Sequence, residues 1–239
     1  MWTSLTVEYH KLKGSLIWLL ALVAPSLVTV LATLIALRRP RMEWEFMFTG
    51  STGLWSFFVL PMTVTALSAL LANIEHAPRA WDHMFALPVR RWRMFASKAI
   101  ILMSVVGVMT ALLAIELWIV GALFTAFSPE SAPQGAFPWP LAIRILGMMW
   151  ATSLFMAMIQ LWVALRFRSF IAPLTVGLGG TFIAVAAFNA KEAMFVPWAM
   201  PVSIVGAEGV NAIPAFQFGI VGGVITLLAM IVHMSRREA

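Results

Sequence analysis

Six runs of almost uninterrupted apolar residues constrain this chain more than any other feature of its sequence. A helix needs about 20 apolar residues to cross the hydrocarbon core of a bilayer, and each run reaches that length. Hydrophobic residues make up 62% of the chain and charged residues 11%, whereas about 25% of a soluble domain is charged. The sequence therefore predicts an all-α polytopic membrane protein, a single domain over residues 1–239 with six transmembrane helices. The runs are Ser15–Leu37, Gly53–Asn73, Ala99–Ala122, Ile143–Leu165, Phe170–Asn189 and Ile213–Met234.

The basic residues indicate the orientation, because Lys and Arg collect in cytoplasmic loops. Eleven of the 16 basic residues fall on one side of the membrane if both termini are cytoplasmic. The main exceptions are Arg38, Arg39 and Arg41, which follow the first run. We expect a multi-pass protein of the cell inner (plasma) membrane with N- and C-termini cytoplasmic. Topology and anionic lipid headgroups then explain the net charge of +6, and no nucleic acid partner is needed.

The first 14 residues have the pattern of an amphipathic helix. Trp2, Leu5, Tyr9 and Leu12 follow one another at spacings of three, four and three, which places them on one helical face. We expect residues 1–14 to form an interfacial helix on the cytoplasmic surface, although an irregular tail would also fit so short a pattern.

The inner loop over residues 74–98 is the most informative loop. Proline is tolerated in the first turn of a helix and ends a helix elsewhere, so Pro78 and Pro88 bracket a short predicted helix with two different faces. Such a helix suits docking to another protein, and an interfacial connector anchored in lipid is the alternative. The candidate contact residues are Arg79, Trp81, Asp82, His83, Phe85 and Leu87.

Two further features stand out on the outer side and within the membrane. Residues 190–212 are apolar but broken by prolines, which fits either a re-entrant segment or an interfacial loop.

Glu116 lies deep in the third run, where an acidic group costs about 3 kcal/mol. It should face the bundle interior or water, with Arg144 as a possible partner, unless it snorkels from the outer end of a tilted helix.

Sequence motifs for catalysis are missing from this chain. There is no cysteine, no phosphate-binding Gly-xxxx-Gly-Lys-Ser/Thr loop, no Gly-x-Ser-x-Gly and no His-Glu-x-x-His. Glu75, His76, Asp82 and His83 come closest to a metal-ligand set, but Pro78 interrupts their helical spacing. We therefore expect no catalytic residue, metal or cofactor in this chain, and a membrane-embedded enzyme is the less favoured alternative.

Three features occur together in this sequence. They are six spans with both ends inside, the segment Val7–Lys13, and the run Ala86–Arg91 leading to Ser97 and Lys98. This combination resembles the ABC type-2 transporter permeases. Within them it is most similar to the compact permeases of lantibiotic-immunity and bacitracin-resistance exporters.

The resemblance implies a non-catalytic permease subunit that pairs with a second permease, as a homodimer or a heterodimer. A separate ABC ATPase dimer would bind ATP and Mg and would dock on a coupling helix between helices 2 and 3. That helix carries over to 79–87, and Arg166 and Arg168 would form a second contact.

The cargo that the resemblance implies is a hydrophobic or amphipathic peptide, such as a lantibiotic- or bacitracin-like antimicrobial, exported for immunity or resistance. A drug, a sodium ion or a glycolipid would leave nearly the same sequence pattern. Trp55, Phe58 and Glu116 are the candidate substrate-path residues.

Overall fold

A computed structural model describes residues 2–39, 41–76, 90–187, 190–206 and 212–236. These residues form helices joined by short links, and no β-strand occurs among them. A π-helical turn, Trp55–Val59, joins α3 to α4, and a 3-10 turn, Lys191–Phe195, precedes α8. The α-helices are α1 (Trp2–Lys11), α2 (Leu16–Arg38), α3 (Trp44–Leu54), α4 (Leu60–His76), α5 (Arg91–Phe127), α6 (Trp139–Arg166), α7 (Ile171–Ala187), α8 (Met200–Gly206) and α9 (Ala212–Ser235).

Within the described residues, five helical stretches are long and apolar enough to cross a membrane. Five of the six predicted runs lie in them, so the predicted class of helical membrane protein is confirmed. The remaining run, Phe170–Asn189, corresponds to the 17-residue α7, and a sixth span therefore stays a prediction. The five stretches are Leu16–Arg38, Trp44–His76, Arg91–Phe127, Trp139–Arg166 and Ala212–Ser235.

In α2, small residues face the bundle and large apolar residues face outward, the reverse of a soluble helix. Association in lipid depends on close packing, because lipid tails are as apolar as Leu. Small side chains on the inner face let neighbouring backbones approach. The buried face of α2 includes Ala21, Ala24, Val28, Ala32 and Ala36, and its exposed face includes Leu19, Leu22, Leu27, Val30 and Leu34.

Glycines allow α9 to approach α6 in the same way. A Cβ atom built on Gly219 would lie 2.9 Å from the Cα atom and the carbonyl oxygen of Thr152. One built on Gly223 would lie 2.6 Å from Leu154 Cγ. The Gly-xxx-Gly pair therefore serves packing within this chain.

The π-helical turn ends two positions before Pro61. Proline has no N–H, so the α-helical bond from residue 61 to the carbonyl of Phe57 cannot form. The helix widens over Trp55–Val59 and continues as α4 beyond this point. The widened turn carries the Trp55 ring into the bundle interior, where it is fully buried.

Three long-range hydrogen bonds bring the C-terminal ends of α1, α4, α6 and α9 together. They lie at one end of the bundle, here called the basal end. Lys11 Nζ donates to Glu75 Oε1 at 2.7 Å, which ties α1 to the end of α4. His76 Nε2 lies 3.1 Å from the carbonyl oxygen of Ala164, near the end of α6. Trp162 Nε1 donates to His233 Nδ1 at 3.1 Å, which places the end of α9 there as well.

The opposite end, the distal end, is covered by an aromatic group. The Phe137 ring lies 4.9 Å from Trp44 and 4.6 Å from Trp139, measured between ring centroids. The backbone N–H of Gln134 donates to the carbonyl of Met42 at 2.8 Å, which attaches the proline-rich connector to the start of α3.

Residues 190–206 form the 3-10 turn and α8, which is too short to cross a membrane. Ala199 and Met200 are buried against the bundle. The predicted re-entrant segment 190–212 therefore consists of two short helical pieces as far as residue 206, and residues 207–211 lie outside the described ranges. Its depth in the membrane stays a prediction.

Candidate functional site

The predicted docking residues Arg79, Trp81, Asp82, His83, Phe85 and Leu87 lie outside the described residues. The structure does describe both ends of this segment, because α4 ends at His76 and α5 begins at Arg91. Residues 74–76 and 91–98 of the predicted inner loop, 74–98, are thus helical, and their cytoplasmic location stays a prediction. Residues 91–98 form the first two turns of α5, and the segment without a described structure is 77–89.

A buried charged cluster lies where the two ends of this segment meet α1. Lys98 Nζ donates to Glu8 Oε2 at 2.7 Å and to Glu75 Oε1 at 2.8 Å. Lys11 Nζ donates to Glu75 Oε1 at 2.7 Å and to Glu8 Oε1 at 3.0 Å. Each lysine bridges both glutamates, so four side chains with no net charge join α1, α4 and α5. We call these four residues the basal cluster.

Burial makes the basal cluster depend on complete pairing. The side chains of Lys98 and Glu75 are each 1% exposed, and that of Glu8 is 7% exposed. Removing such groups from water costs several kcal/mol for each ion, and short paired geometry offsets this cost. Loss of one partner would leave an uncompensated buried charge.

Lys11 is the most exposed member, at 29% of its side chain. Burial alone would lower its pKa, but the hydrogen bond to Glu75 and the charge of Glu8 outweigh it, so the pKa lies above the ordinary value of 10.5. A lysine with a raised pKa stabilises the fold fully below its ordinary pKa and loses this contribution as the pH rises through the raised value. The attachment of α1 through Lys11 therefore persists at neutral pH.

The face of α1 that meets the bundle includes an acidic residue. Leu12 is buried and Leu5 is half-buried, whereas the Tyr9 side chain is 52% exposed. Glu8 turns inward instead, because two lysines meet its carboxylate there. The Tyr9 ring packs edge-on against Trp18, with 6.1 Å between the centroids. Contact of the apolar face with the membrane surface stays a prediction.

Glu75 and His76, which the sequence placed in a weak metal-ligand set, have other partners. Both lysines of the basal cluster bond to Glu75 Oε1, and His76 bonds to the Ala164 carbonyl. Within the described ranges, no group of three or more His, Asp or Glu side chains is placed to hold a metal ion. Asp82 and His83, the other two members of that set, lie outside the described residues, so the expected absence of a metal site stays a prediction.

The second predicted contact, Arg166 and Arg168, lies at the same basal end. The Arg166 guanidinium lies 5.6 Å from the centroid of the Phe167 ring. Arg168 lines a small cleft that also contains Asn73 and His76. The structure thus places this link beside the end of α4, from which residues 77–89 depart.

The candidate path residues Trp55, Phe58 and Glu116 do not face one common space. Trp55 is fully buried within the chain, and the Phe58 side chain is 45% exposed. The Trp55 indole N–H has no hydrogen-bond partner in the described part of the chain. Glu116, on α5, faces α2.

Two hydroxyls of α2 lie within hydrogen-bond distance of Glu116. Ser26 Oγ is 2.9 Å from Glu116 Oε1 and 2.8 Å from the carbonyl oxygen of Leu22, so its single hydrogen is shared between two acceptors. Thr29 Oγ1 is likewise 3.0 Å from Glu116 Oε2 and 3.2 Å from the carbonyl oxygen of Pro25. Arg144, its proposed partner, is exposed, and no ion pair within the described ranges joins the two. The suggested Glu116–Arg144 pair was therefore wrong. The polar neighbours of the carboxylate are these two hydroxyls of α2 instead.

Sequence reasoning did not identify the basal cluster. Glu8 and Lys98 are separated by 90 residues, and nothing in their local patterns indicates that they meet. One signal was available: each ionisable residue adjoins an apolar helix at the same membrane side. Oppositely charged residues in such positions are expected to pair when they are buried.

The fold and the basal cluster together define a class of protein: a multi-pass helical membrane protein whose ends and two links converge on one side. The sequence profile described as ABC-2 family transporter protein matches residues 4–184, about three quarters of the chain. The chain belongs to this family and is a membrane permease of an ABC transporter, located in the plasma membrane. Members of this family are generally non-catalytic membrane components of transporters, and membership implies partnership with an ABC ATPase. A comparison with curated proteins found none that matches the chain.

Proposed function

We propose that this chain is the permease subunit of an ATP-driven exporter and that residues 77–89 receive the ATPase subunit. The observation that supports this proposal is the basal cluster, which holds both ends of 77–89. Lys98 and Glu75 are joined at 2.8 Å across the base of the segment. A force applied to 77–89 would therefore act on α4 and α5 together, and on α1 through Glu8 and Lys11.

The link 166–169 forms the second part of the proposed docking surface. Arg166 and Arg168 are exposed there, and the His76–Ala164 bond holds this link beside the end of α4. The ATPase dimer supplies the ATP and Mg sites. The permease supplies two conformations that differ in affinity for the cargo, because a ligand shifts an equilibrium only through differential binding. A second permease subunit, identical or different, completes the transporter.

The proposed topology has six crossings with the basal end in the cytoplasm. Because α6 ends and α9 ends at the basal end, the chain between them must return to the distal end once. The 17 residues of α7 span about 25 Å at 1.5 Å per residue, slightly less than the hydrocarbon thickness of about 30 Å. The chain has no cysteine, so a single introduced thiol reports its own location. In sealed right-side-out vesicles, an impermeant thiol reagent should label Ala190→Cys and not Ser169→Cys; the reverse labelling would contradict this topology.

The proposed cargo is a hydrophobic or amphipathic peptide of the lantibiotic or bacitracin type, removed from the membrane for immunity or resistance. Support comes from an apolar groove of about 410 Å³ between α5 and α6. Gly107, Ala111 and Gly147 keep it open, and Ile115 and Trp150 line it. Such a surface suits an apolar side chain better than a hydrated ion.

Docking is tested on the complete transporter with the variants Phe85→Ala and Asp82→Ala. We expect both to lower vanadate-sensitive ATPase activity and transport, with Glu130→Ala in the distal connector as the matched control. Unchanged assembly, ATPase activity and transport in both variants would remove the docking assignment.

The cargo is tested by survival of cells challenged with a panel of membrane-active peptides. Cells with the intact exporter should survive at higher peptide concentrations than cells whose ATPase subunit cannot hydrolyse ATP. Equal survival across the panel would contradict peptide export and leave the docking assignment untouched.

A further inference from the structure

A second groove lies at the distal end, between α2 and α3, and the basal cluster plays no part in it. Its volume is about 750 Å³. Leu31, Leu34 and Ile35 line it from α2, and Phe46 and Leu54 line it from the facing stretch. These side chains are all at least one-third exposed, so no other element among the described residues fills the groove.

Two arginines stand at the mouth of this groove. Arg38 is the last residue of α2, and Arg39 is its C-cap. Arg38 lies seven positions after Leu31, so the apolar lining extends about 10 Å along α2 below the cations. A ligand that fits this arrangement has an anionic head and a hydrocarbon chain.

The arginines have no acidic partner in the described part of the chain. Arg38, Arg39 and Arg41 are exposed and take part in no ion pair there. Glu43 and Glu45, which follow closely in sequence, are exposed and do not pair with them either. These cations also contradict the charge bias that sets membrane orientation. Attraction to anionic headgroups is a physical reason for basic residues at a membrane surface.

We propose that this groove binds one anionic phospholipid of the surrounding bilayer. Arg38 and Arg39 hold the phosphate, which guanidinium groups recognise by charge and by paired N–H donors. The first part of an acyl chain lies against Leu31, Leu34 and Phe46. The proposed lipid site lies on a different surface from the proposed ATPase docking surface, so a negative result for one leaves the other unaffected.

Gly50 provides a way to block the groove without touching the arginines. It lies in the groove wall, and a Cβ atom built on it meets no other atom within 4 Å. Leucine at this position therefore fills groove space rather than disturbing the bundle. Gly179 on α7 is the matched control, since its added Cβ also meets nothing within 4 Å and it lies outside the groove.

The test uses native mass spectrometry of the full chain in detergent with phosphatidylglycerol or phosphatidylcholine of identical acyl chains. We expect the wild-type protein to retain one phosphatidylglycerol at a roughly tenfold lower lipid concentration than phosphatidylcholine. Added salt should reduce this preference. Arg38→Gln/Arg39→Gln should abolish it, and the control Arg144→Gln should keep it. Gly50→Leu should weaken retention of both lipids, whereas Gly179→Leu should not.

Several outcomes would overturn the proposal. Equal retention of the two lipids by the wild-type protein would do so, as would an unchanged preference in the arginine double variant. Displacement of phosphatidylglycerol by inorganic phosphate alone would indicate a simple anion site without a chain-binding groove. A protein dimer that Gly50→Leu abolishes while lipid retention is unchanged would identify a second copy of the chain as the occupant. Thermal unfolding of each variant shows that it is folded before lipid retention is compared.

Discussion

At the scale of single residues, Lys98 is the cation on which the basal end depends most. It is 1% exposed and bonds to Glu8 and to Glu75. Lys11 bonds to the same two carboxylates but reaches solvent. Loss of Lys98 would leave two buried carboxylates sharing one partly exposed lysine.

We predict that Lys98→Met destabilises the protein by about 3 kcal/mol, because breaking one side of a buried pair leaves a charge without compensation. Thermal unfolding of the purified chain in detergent measures this. Arg144→Met, an exposed arginine without an ion pair in the described ranges, is the control and should change little. In the Lys98→Met background, Glu75→Gln should cost less than it does alone. Equal unfolding temperatures for Lys98→Met and the control would contradict the pairing.

Glu116 is a second residue whose role the structure sharpens. Its carboxylate lies within hydrogen-bond distance of two hydroxyls on α2, so Glu116 helps to hold α5 against α2. A residue that lined only a transport path would not need these partners.

We predict that Glu116→Gln and Thr29→Val each lower stability by about 1 kcal/mol, the size of a hydrogen bond between membrane helices. The double variant should lose less than the sum of the two. Thr33→Val is the control, because the Thr33 hydroxyl bonds to the carbonyl of Thr29 in its own helix. A transport defect in Glu116→Gln without a change in unfolding temperature would assign Glu116 to the substrate path instead.

At the scale of elements, the sequence predicted what depends on apolar length and missed what depends on pairing at a distance. The spans containing α2, α5, α6 and α9 followed from their lengths, which the bilayer dictates. The inward turn of Glu8 did not follow, because its reason is Lys98, which lies 90 residues away. The sequence also did not predict that α5 begins at Arg91. The first turns of α5 are basic, as a loop would be, and only the bonds of Lys98 to Glu8 and Glu75 show that they pack against the bundle.

The element-scale prediction for α1 is a charge exchange. Glu8→Lys places three cations around Glu75, and like charges in a buried site repel, so α1 should detach and less ATPase subunit should copurify with the permease. Glu8→Lys/Lys98→Glu restores a neutral cluster and should recover at least part of the copurification. Lys13→Glu, an exposed position outside the basal cluster, is the control. Full copurification in the single variant would show that α1 does not support the docking surface.

The contact between α6 and α9 carries the second prediction at this scale. In Gly219→Ala the new methyl group would meet backbone atoms of Thr152, which cannot move aside as a flexible side chain can. We expect a loss of about 1 to 3 kcal/mol in unfolding experiments, typical of an overpacked core. Gly179→Ala should be nearly neutral, because nothing lies near its added methyl group. Equal stability of the two variants would mean that α6 and α9 are not so closely packed.

At the scale of the whole molecule, the two ends of the bundle differ in chemistry. The basal end gathers α1, the ends of residues 77–89 and the link with Arg166 and Arg168 around one buried charged cluster. The distal end is closed by aromatic side chains and bears Arg38 and Arg39, which form no ion pair with any residue that the structure describes. Energy from an ATPase would enter at the basal end and pass through the long helices toward the distal end.

In the proposed transporter, the ATPase subunit contacts residues 77–89 and the link 166–169. Because the chain has no cysteine, Phe85→Cys, Arg168→Cys and the distal control Glu130→Cys can each carry one thiol-linked photocrosslinker. Illumination of the assembled transporter should join the ATPase subunit to positions 85 and 168 and not to position 130. Adducts from position 130 alone, or equal adducts from all three positions, would contradict the account.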